Sequence, residues 1–130
     1  MSQANIDRVR GKVDTFNRTG EIDVQDLAPD FEMHQASSLV DTAGVFHGQD
    51  ALHGALRELQ EAFEELSFEA EEIIEAPDGQ IFVLIRVRGR GRGSGMEIEN
   101  RIAHVWTYRD DKAVRLVATR SLAKRAKLWD

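Results

Sequence analysis

Cysteine is absent from this chain of 130 residues, which rules out disulfides, thiolate nucleophiles and cysteine-ligated zinc. No apolar run approaches the ~20 residues that a membrane-spanning helix needs. The first residues, MSQANIDRVRGK, lack the apolar core of a signal peptide. We therefore expect a cytoplasmic protein with no membrane partner.

Motifs for several common chemistries are also missing. There is no Walker loop, nucleophile elbow or dinucleotide fingerprint, so we expect no cofactor. The four histidines do not have the spacing of a metal-ligand set, and no metal site is expected. A net charge of -6 and a pI near 5.2 argue against nucleic acid as a partner. The stretch RVRGRGRGSG resembles an RNA-binding segment, but pairing of its arginines with glutamates explains it better.

What is present is the composition of one globular domain, residues 1–130. Apolar residues make up 42% of the chain and charged residues 31%. A chain of this length can bury a real core. The domain is therefore expected to fold independently around a single core.

Helical signals dominate the first half of the chain. Apolar residues at helical spacing predict a first helix that runs to about Asn17. A short second helix is expected over roughly 22–28, before Pro29, and a third helix begins at Gly48 and carries an apolar stripe as far as Leu66. The basic segment 121–130 is expected to be a short helix or a tail.

Four strands follow, and their charges predict their register. The strands begin near Ser67, Ile81, Met96 and Ala113, with turn-forming residues between them. Opposite charges stabilise cross-strand pairs. The expected pairs are Glu71 with Arg86, Glu69 with Arg88, Arg88 with Glu99, and Arg90 with Glu97. This predicts an α+β fold, with the helices on one face of a strongly curved antiparallel sheet.

The predicted register assigns each strand residue to a face. The helix-covered face combines apolar residues with a few polar ones, as in a small-molecule pocket. Its predicted polar and aromatic residues are His104, Trp106, Asn100, Tyr108, Glu72 and Arg115. The outer face is expected to carry an apolar patch that forms a homodimer. Its predicted members are Ile73, Phe82, Leu84, Val105 and Leu116.

Several short motifs, in order, carry a family resemblance. They are PDFEMH from Pro29, FHGQD from Phe46, GRGRGSG from Gly89 and AHVWTYRD from Ala103. In this order the chain resembles the SnoaL-like branch of the NTF2-like superfamily, which also resembles ketosteroid isomerase. The resemblance implies a single domain shaped as a cone, in which three helices and a curved sheet enclose a pocket. It also implies a dimer.

The resemblance also implies roles for particular residues. It puts His34 where ketosteroid isomerase keeps its general base, and His104 where it keeps a donor to the oxyanion. The tyrosine that completes that oxyanion hole has no counterpart here, because the first helix offers Phe16. Histidine can serve as acid or base near neutral pH.

Two functions are consistent with these residues. One is an acid/base isomerase, cyclase or hydrolase acting on a small apolar molecule that bears a carbonyl or hydroxyl group. His34 and His104 would be catalytic, and Trp106, Asn100, Tyr108, Arg115 and Glu72 would contact the ligand. The other is a non-catalytic binding domain that uses the same pocket.

Overall fold

The computed structural model describes residues 2–35, 44–76 and 78–119. Two helices and six strands lie within them, in the order α1 (Ser2–Thr19), β1 (Leu27–Gln35), β2 (Gly44–His47), α2 (Asp50–Ala62), β3 (Phe63–Glu75), β4 (Ile81–Gly91), β5 (Glu97–Arg109) and β6 (Lys112–Thr119). The strands form one sheet in the order β2-β1-β6-β5-β4-β3. β1 and β6 are parallel, and the other neighbouring strands are antiparallel. The predicted α+β class is confirmed.

The predicted second helix over 22–28 is wrong. The described structure has two helices, because this segment is a turn that leads into β1. Leu27 pairs with Ala113 of β6, and the Ala113 amide donates to the Asp26 carbonyl oxygen at 2.8 Å. Pro29 favours this outcome, because the residue before a proline is biased away from helical backbone.

The other two predicted helices are present with shifted ends. α1 ends at a glycine, as expected: Gly20 has φ +79°, and its amide donates to the Phe16 carbonyl oxygen at 2.7 Å. α2 ends at Ala62, and the last part of its predicted stripe, Phe63 to Leu66, belongs to β3. The predicted C-terminal helix or tail lies outside the described residues.

The predicted register of β4 against β5 is confirmed. Arg88 faces Glu99, with Nε and Oε1 3.2 Å apart, and Arg90 faces Glu97. The period-two alternation therefore places side chains correctly in the centre of the sheet.

The predicted register of β3 against β4 is wrong throughout. Near the turn Ile73, which was predicted for the outer face, faces Val83 of the core. Glu69 faces Arg86, and Ser67 faces Arg88. An irregularity between Ala70 and Glu72 changes the register, as a β-bulge does. Glu71 still forms an ion pair with Arg86, at 2.7 Å, but it does so diagonally.

In β6 the predicted faces of Arg115 and Leu116 are the reverse of those observed. Trp106 faces Leu116, and Thr107 faces Arg115. The strands change register between Thr107 and Tyr108, next to the turn at Asp110 and Asp111, where both residues have positive φ. A one-residue change moves side chains to the other face of the sheet.

These two irregularities correct the predicted outer face. Ile73 and Leu116 belong to the inner face, because Ile73 packs against the main core and Leu116 lies inside it. Leu84, Ala103 and Phe82 form a separate outer cluster. Phe82 also belongs to an outer row with Ile74, Val105 and Val117.

The main core lies between the helices and the inner face of the sheet. α2 contributes Ala51, Leu52 and Ala55, and α1 contributes Val9. The sheet contributes fully enclosed side chains, which include Phe31, Ile81 and Val83. Among the described residues, no helix is both long and apolar enough to cross a membrane.

Candidate functional site

A cavity of about 100 Å³ lies between the helices and the inner face of the sheet. Its wall is almost entirely apolar, with contributions from both helices and from β1, β3, β4, β5 and β6. The polar residues on the wall are Lys12, Gln35 and His104, with the indole of Trp106. A cavity of this composition suits an apolar molecule that has few polar groups.

Strand alternation brings the polar wall of the cavity together. Ile102, His104 and Trp106 are alternate residues of β5, so all three face inward. At one side of the cavity, Phe16 of α1 stacks on Phe68 of β3, with ring centroids 4.7 Å apart. This ring contact therefore helps to hold α1 against the sheet.

His104 lies in the cavity wall with no hydrogen bond from its ring nitrogens to any described residue. His104 is half-buried and lines the cavity. Burial lowers the pKa of His104 from 6.5 to about 4. At neutral pH the imidazole is therefore uncharged and offers one donor and one acceptor.

Trp106 forms the floor beside His104. It packs between Phe31 and Tyr108, with both ring-centroid distances at 6.3 Å, and is 3% exposed. Its indole nitrogen is buried and has no hydrogen-bond partner among the described residues. A buried donor without a partner costs free energy.

A buried polar cluster next to Trp106 was missed from the sequence. The Lys12 ammonium donates to a carboxylate oxygen of Asp26 and, at 3.0 Å, to the Asp23 carbonyl oxygen. The Tyr108 hydroxyl donates to the other Asp26 oxygen at 2.9 Å. Burial, and next the negative charge of Asp26, raise the pKa of Tyr108. One signal was available: Lys12 lies between Val9 and Phe16 on the apolar side of α1.

His34 does not line the cavity with His104, so the pocket position that the resemblance implies for His34 is wrong. His34 pairs with Val117 of β6 on the outer face, while its neighbour Met33 lines the cavity. His34 Nε2 lies 2.9 Å from Glu32 Oε1. This hydrogen bond is the main reason that the pKa of Glu32 is lowered.

Two further predicted site residues lie on the outer face. Glu72 faces Leu84 of the outer cluster because of the irregularity before it. Arg115 is exposed and faces Thr107 and Glu32. Their predicted positions in the pocket are therefore wrong.

The remaining predicted residues lie on the inner face to different depths. His104 and Trp106 line the cavity together. Tyr108 adjoins Trp106 but is turned to Asp26, and Asn100 faces Val87 without lining the cavity. The functional roles of these residues stay predictions. In the described ranges no cluster of three His, Asp or Glu side chains could hold a metal ion.

Two helices on a curved six-stranded sheet, with an apolar cavity between them, define an α+β domain of the NTF2-like class. The sequence model of the SnoaL-like domain matches residues 10–116. The chain therefore belongs to the SnoaL-like domain family, and the predicted resemblance is confirmed.

Solved structures agree with this fold. An NTF2-like protein of unknown function from Burkholderia pseudomallei is 25% identical, with a TM-score of 0.74 and 95% of each chain covered. A putative SnoaL-like polyketide cyclase from Jannaschia is 18% identical, with a TM-score of 0.73, covering 95% of this chain and 89% of that one. A putative isomerase from Bacillus subtilis is 13% identical, with a TM-score of 0.69, covering 87% and 83%. No curated protein matches the chain.

Proposed function

We propose that this protein binds a small, mainly apolar molecule bearing a carbonyl or hydroxyl group in the cavity beside His104. One observation carries the proposal: the His104 imidazole lies in a mainly apolar cavity wall, and its ring nitrogens make no hydrogen bond to a described residue. A carbonyl oxygen would accept from the imidazole N–H, and the apolar body of the ligand would fill the remaining space.

A cavity-filling substitution tests the proposal with a matched control. Ala118 of β6 lines the cavity, and its neighbour Val117 faces outward. We expect wild-type protein to bind 2-acetylnaphthalene in titration calorimetry. Ala118→Leu should weaken binding by more than about tenfold because the new side chain takes up ligand space, whereas Val117→Leu should leave the affinity unchanged. Absence of binding to the wild type, or equal binding to Ala118→Leu, would contradict the proposal.

Acid/base catalysis is the second candidate, and the state of His104 supports it. A neutral imidazole with free nitrogens can take a proton from the carbon next to a bound carbonyl. Among proteins of the same fold, one is described as a putative polyketide cyclase and another as a putative isomerase. Because His34 lies on the outer face, this role would belong to His104 without its predicted partner.

Hydrogen exchange separates the two functions. In deuterium oxide, an enzyme of this kind should speed exchange of the methyl protons of bound 2-acetylnaphthalene, as followed by NMR. His104→Gln should slow that exchange by about 10²–10⁴-fold, the usual contribution of a general acid or base. Tight binding by the wild type with no accelerated exchange would favour the binding function.

We also propose a homodimer through the outer face of the sheet. Phe82 and Val105 lie side by side on this face, and Ile74 next to them is 50% exposed. Leu84 and Ala103 on the same face are already buried, so the available apolar surface is narrower than the sequence predicts. An exposed apolar surface of this kind favours association about a two-fold axis.

A further inference from the structure

The cavity wall contains one charged side chain among its described residues, that of Lys12. Lys12 is 4% exposed, so little of its charge is solvated by bulk water. Its ammonium lies 5.7 Å from the centroid of the Trp106 ring. The charge of Lys12 therefore lies beside the cavity floor that Trp106 forms.

The charge of Lys12 is already neutralised from outside the cavity. Its partner Asp26 does not line the cavity, and the side chain of Asp26 is 14% exposed. The second oxygen of Asp26 accepts a hydrogen bond from Tyr108, and the Asp26 backbone oxygen accepts one from Ala113. The Asp23 carbonyl oxygen also holds the ammonium. Because Asp26 is fixed by these further contacts, the ion pair is built into the fold.

We propose that the cavity selects uncharged ligands, and that Asp26 determines this specificity by neutralising Lys12. The inference rests on the proposed binding function and deepens it. An anionic ligand would give up its hydration and meet an ammonium that is already paired, so it would remain largely uncompensated. A cationic ligand would find no carboxylate among the described residues of the wall.

The same geometry predicts how the specificity can be changed. Asp26→Asn removes the neutralising charge and leaves the Lys12 ammonium, which lies beside Trp106 of the cavity wall, without its carboxylate, so an anion gains a partner. Tyr108→Phe removes one hydrogen bond to Asp26 but keeps its charge, so the specificity should persist. A double variant, Lys12→Met with Asp26→Asn, restores a neutral wall and should again reject anions.

Two ligands of equal size test the inference. 2-Acetylnaphthalene and 2-naphthoate differ in that a methyl group is replaced by a charged oxygen. In titration calorimetry at neutral pH, wild-type protein and Tyr108→Phe should bind the neutral ligand more than about tenfold more tightly. In Asp26→Asn the preference for the neutral ligand over the anion should fall by at least about tenfold. In the double variant this preference should be restored.

The outcomes separate this inference from the proposed function. Equal binding of the two ligands by the wild type would overturn the inference while leaving the binding function intact, and this comparison requires no variant. An unchanged ratio in folded Asp26→Asn would overturn the role of Asp26. Failure of the wild type to bind either ligand would overturn the binding function and this inference with it.

Discussion

The buried state of His104 makes a quantitative prediction about stability and pH. Burial lowers the pKa of this imidazole from 6.5 to about 4. In the pH range between these values, the unfolded chain takes up a proton that the folded chain does not. The free energy of unfolding therefore falls as the pH drops below the unfolded value, and the loss is complete below the folded one.

The size of this effect follows from the difference in pKa. Each pKa unit corresponds to about 1.4 kcal/mol, so the full contribution is about 3 kcal/mol. Between pH 7 and pH 5, His104 becomes protonated in most unfolded molecules. We therefore expect this residue to lower the free energy of unfolding by about 2 kcal/mol over that range. The stability lost on acidification should accordingly be smaller when His104 is absent.

Urea unfolding of the wild type and of His104→Gln at the two pH values measures the effect. The drop in the free energy of unfolding should be about 2 kcal/mol smaller in the variant. His53→Gln is the matched control, because His53 is exposed on α2. It should lose as much stability as the wild type. An equal drop in the wild type and His104→Gln would refute the assignment of a buried, uncharged imidazole.

Three further predictions address the frame around the cavity. The Asn17 side chain forms hydrogen bonds with both backbone groups of Phe68, at 2.7 and 2.9 Å. Asn17→Ala should therefore lower the free energy of unfolding, measured by urea titration, by about 1–3 kcal/mol. An unchanged free energy of unfolding would contradict a stabilising role for these hydrogen bonds. Glu71→Gln weakens the two contacts between the Glu71 carboxylate and Arg101, at 2.8 and 3.3 Å. The free energy of unfolding should fall by about 1 kcal/mol at low salt and by less in 1 M salt. A loss of stability that does not depend on salt would count against an ionic origin. In light scattering, the wild type should have the mass of a dimer, and Val105→Glu should have the mass of one chain, 14.7 kDa. A wild type with the mass of one chain would exclude the proposed dimer.

Strand alternation by itself determines part of the site. His104 and Trp106 are two residues apart on a strand, so they must share a face. The same rule applies to β1, where Phe31 and Met33 alternate with Glu32 and His34. Alternation alone places His34 on the face opposite Phe31 and Met33. The expectation that His34 lies in the pocket came from the family resemblance.

Tertiary structure decided the rest, because faces also depend on how strands are joined. The changes of register beside Glu72 and beside Tyr108 shift the pairing, which assigns Ile73 and Leu116 to the inner face and Arg115 to the outer one. In these strands the hydrophobic pattern fits the regular register and the shifted register almost equally well. The pattern therefore does not show where the irregularities lie.

The polar cluster beside the cavity also depends on the folded chain. Lys12 and Asp26 are 14 residues apart in sequence, and Asp26 and Tyr108 are 82 apart. No local pattern links such positions, because their contact exists only once α1, the turn before β1 and β5 have packed together. The sequence alone determined the fold class and the inward direction of His104 and Trp106. The charge of the cavity wall was decided by tertiary contacts that bring a buried lysine to its carboxylate.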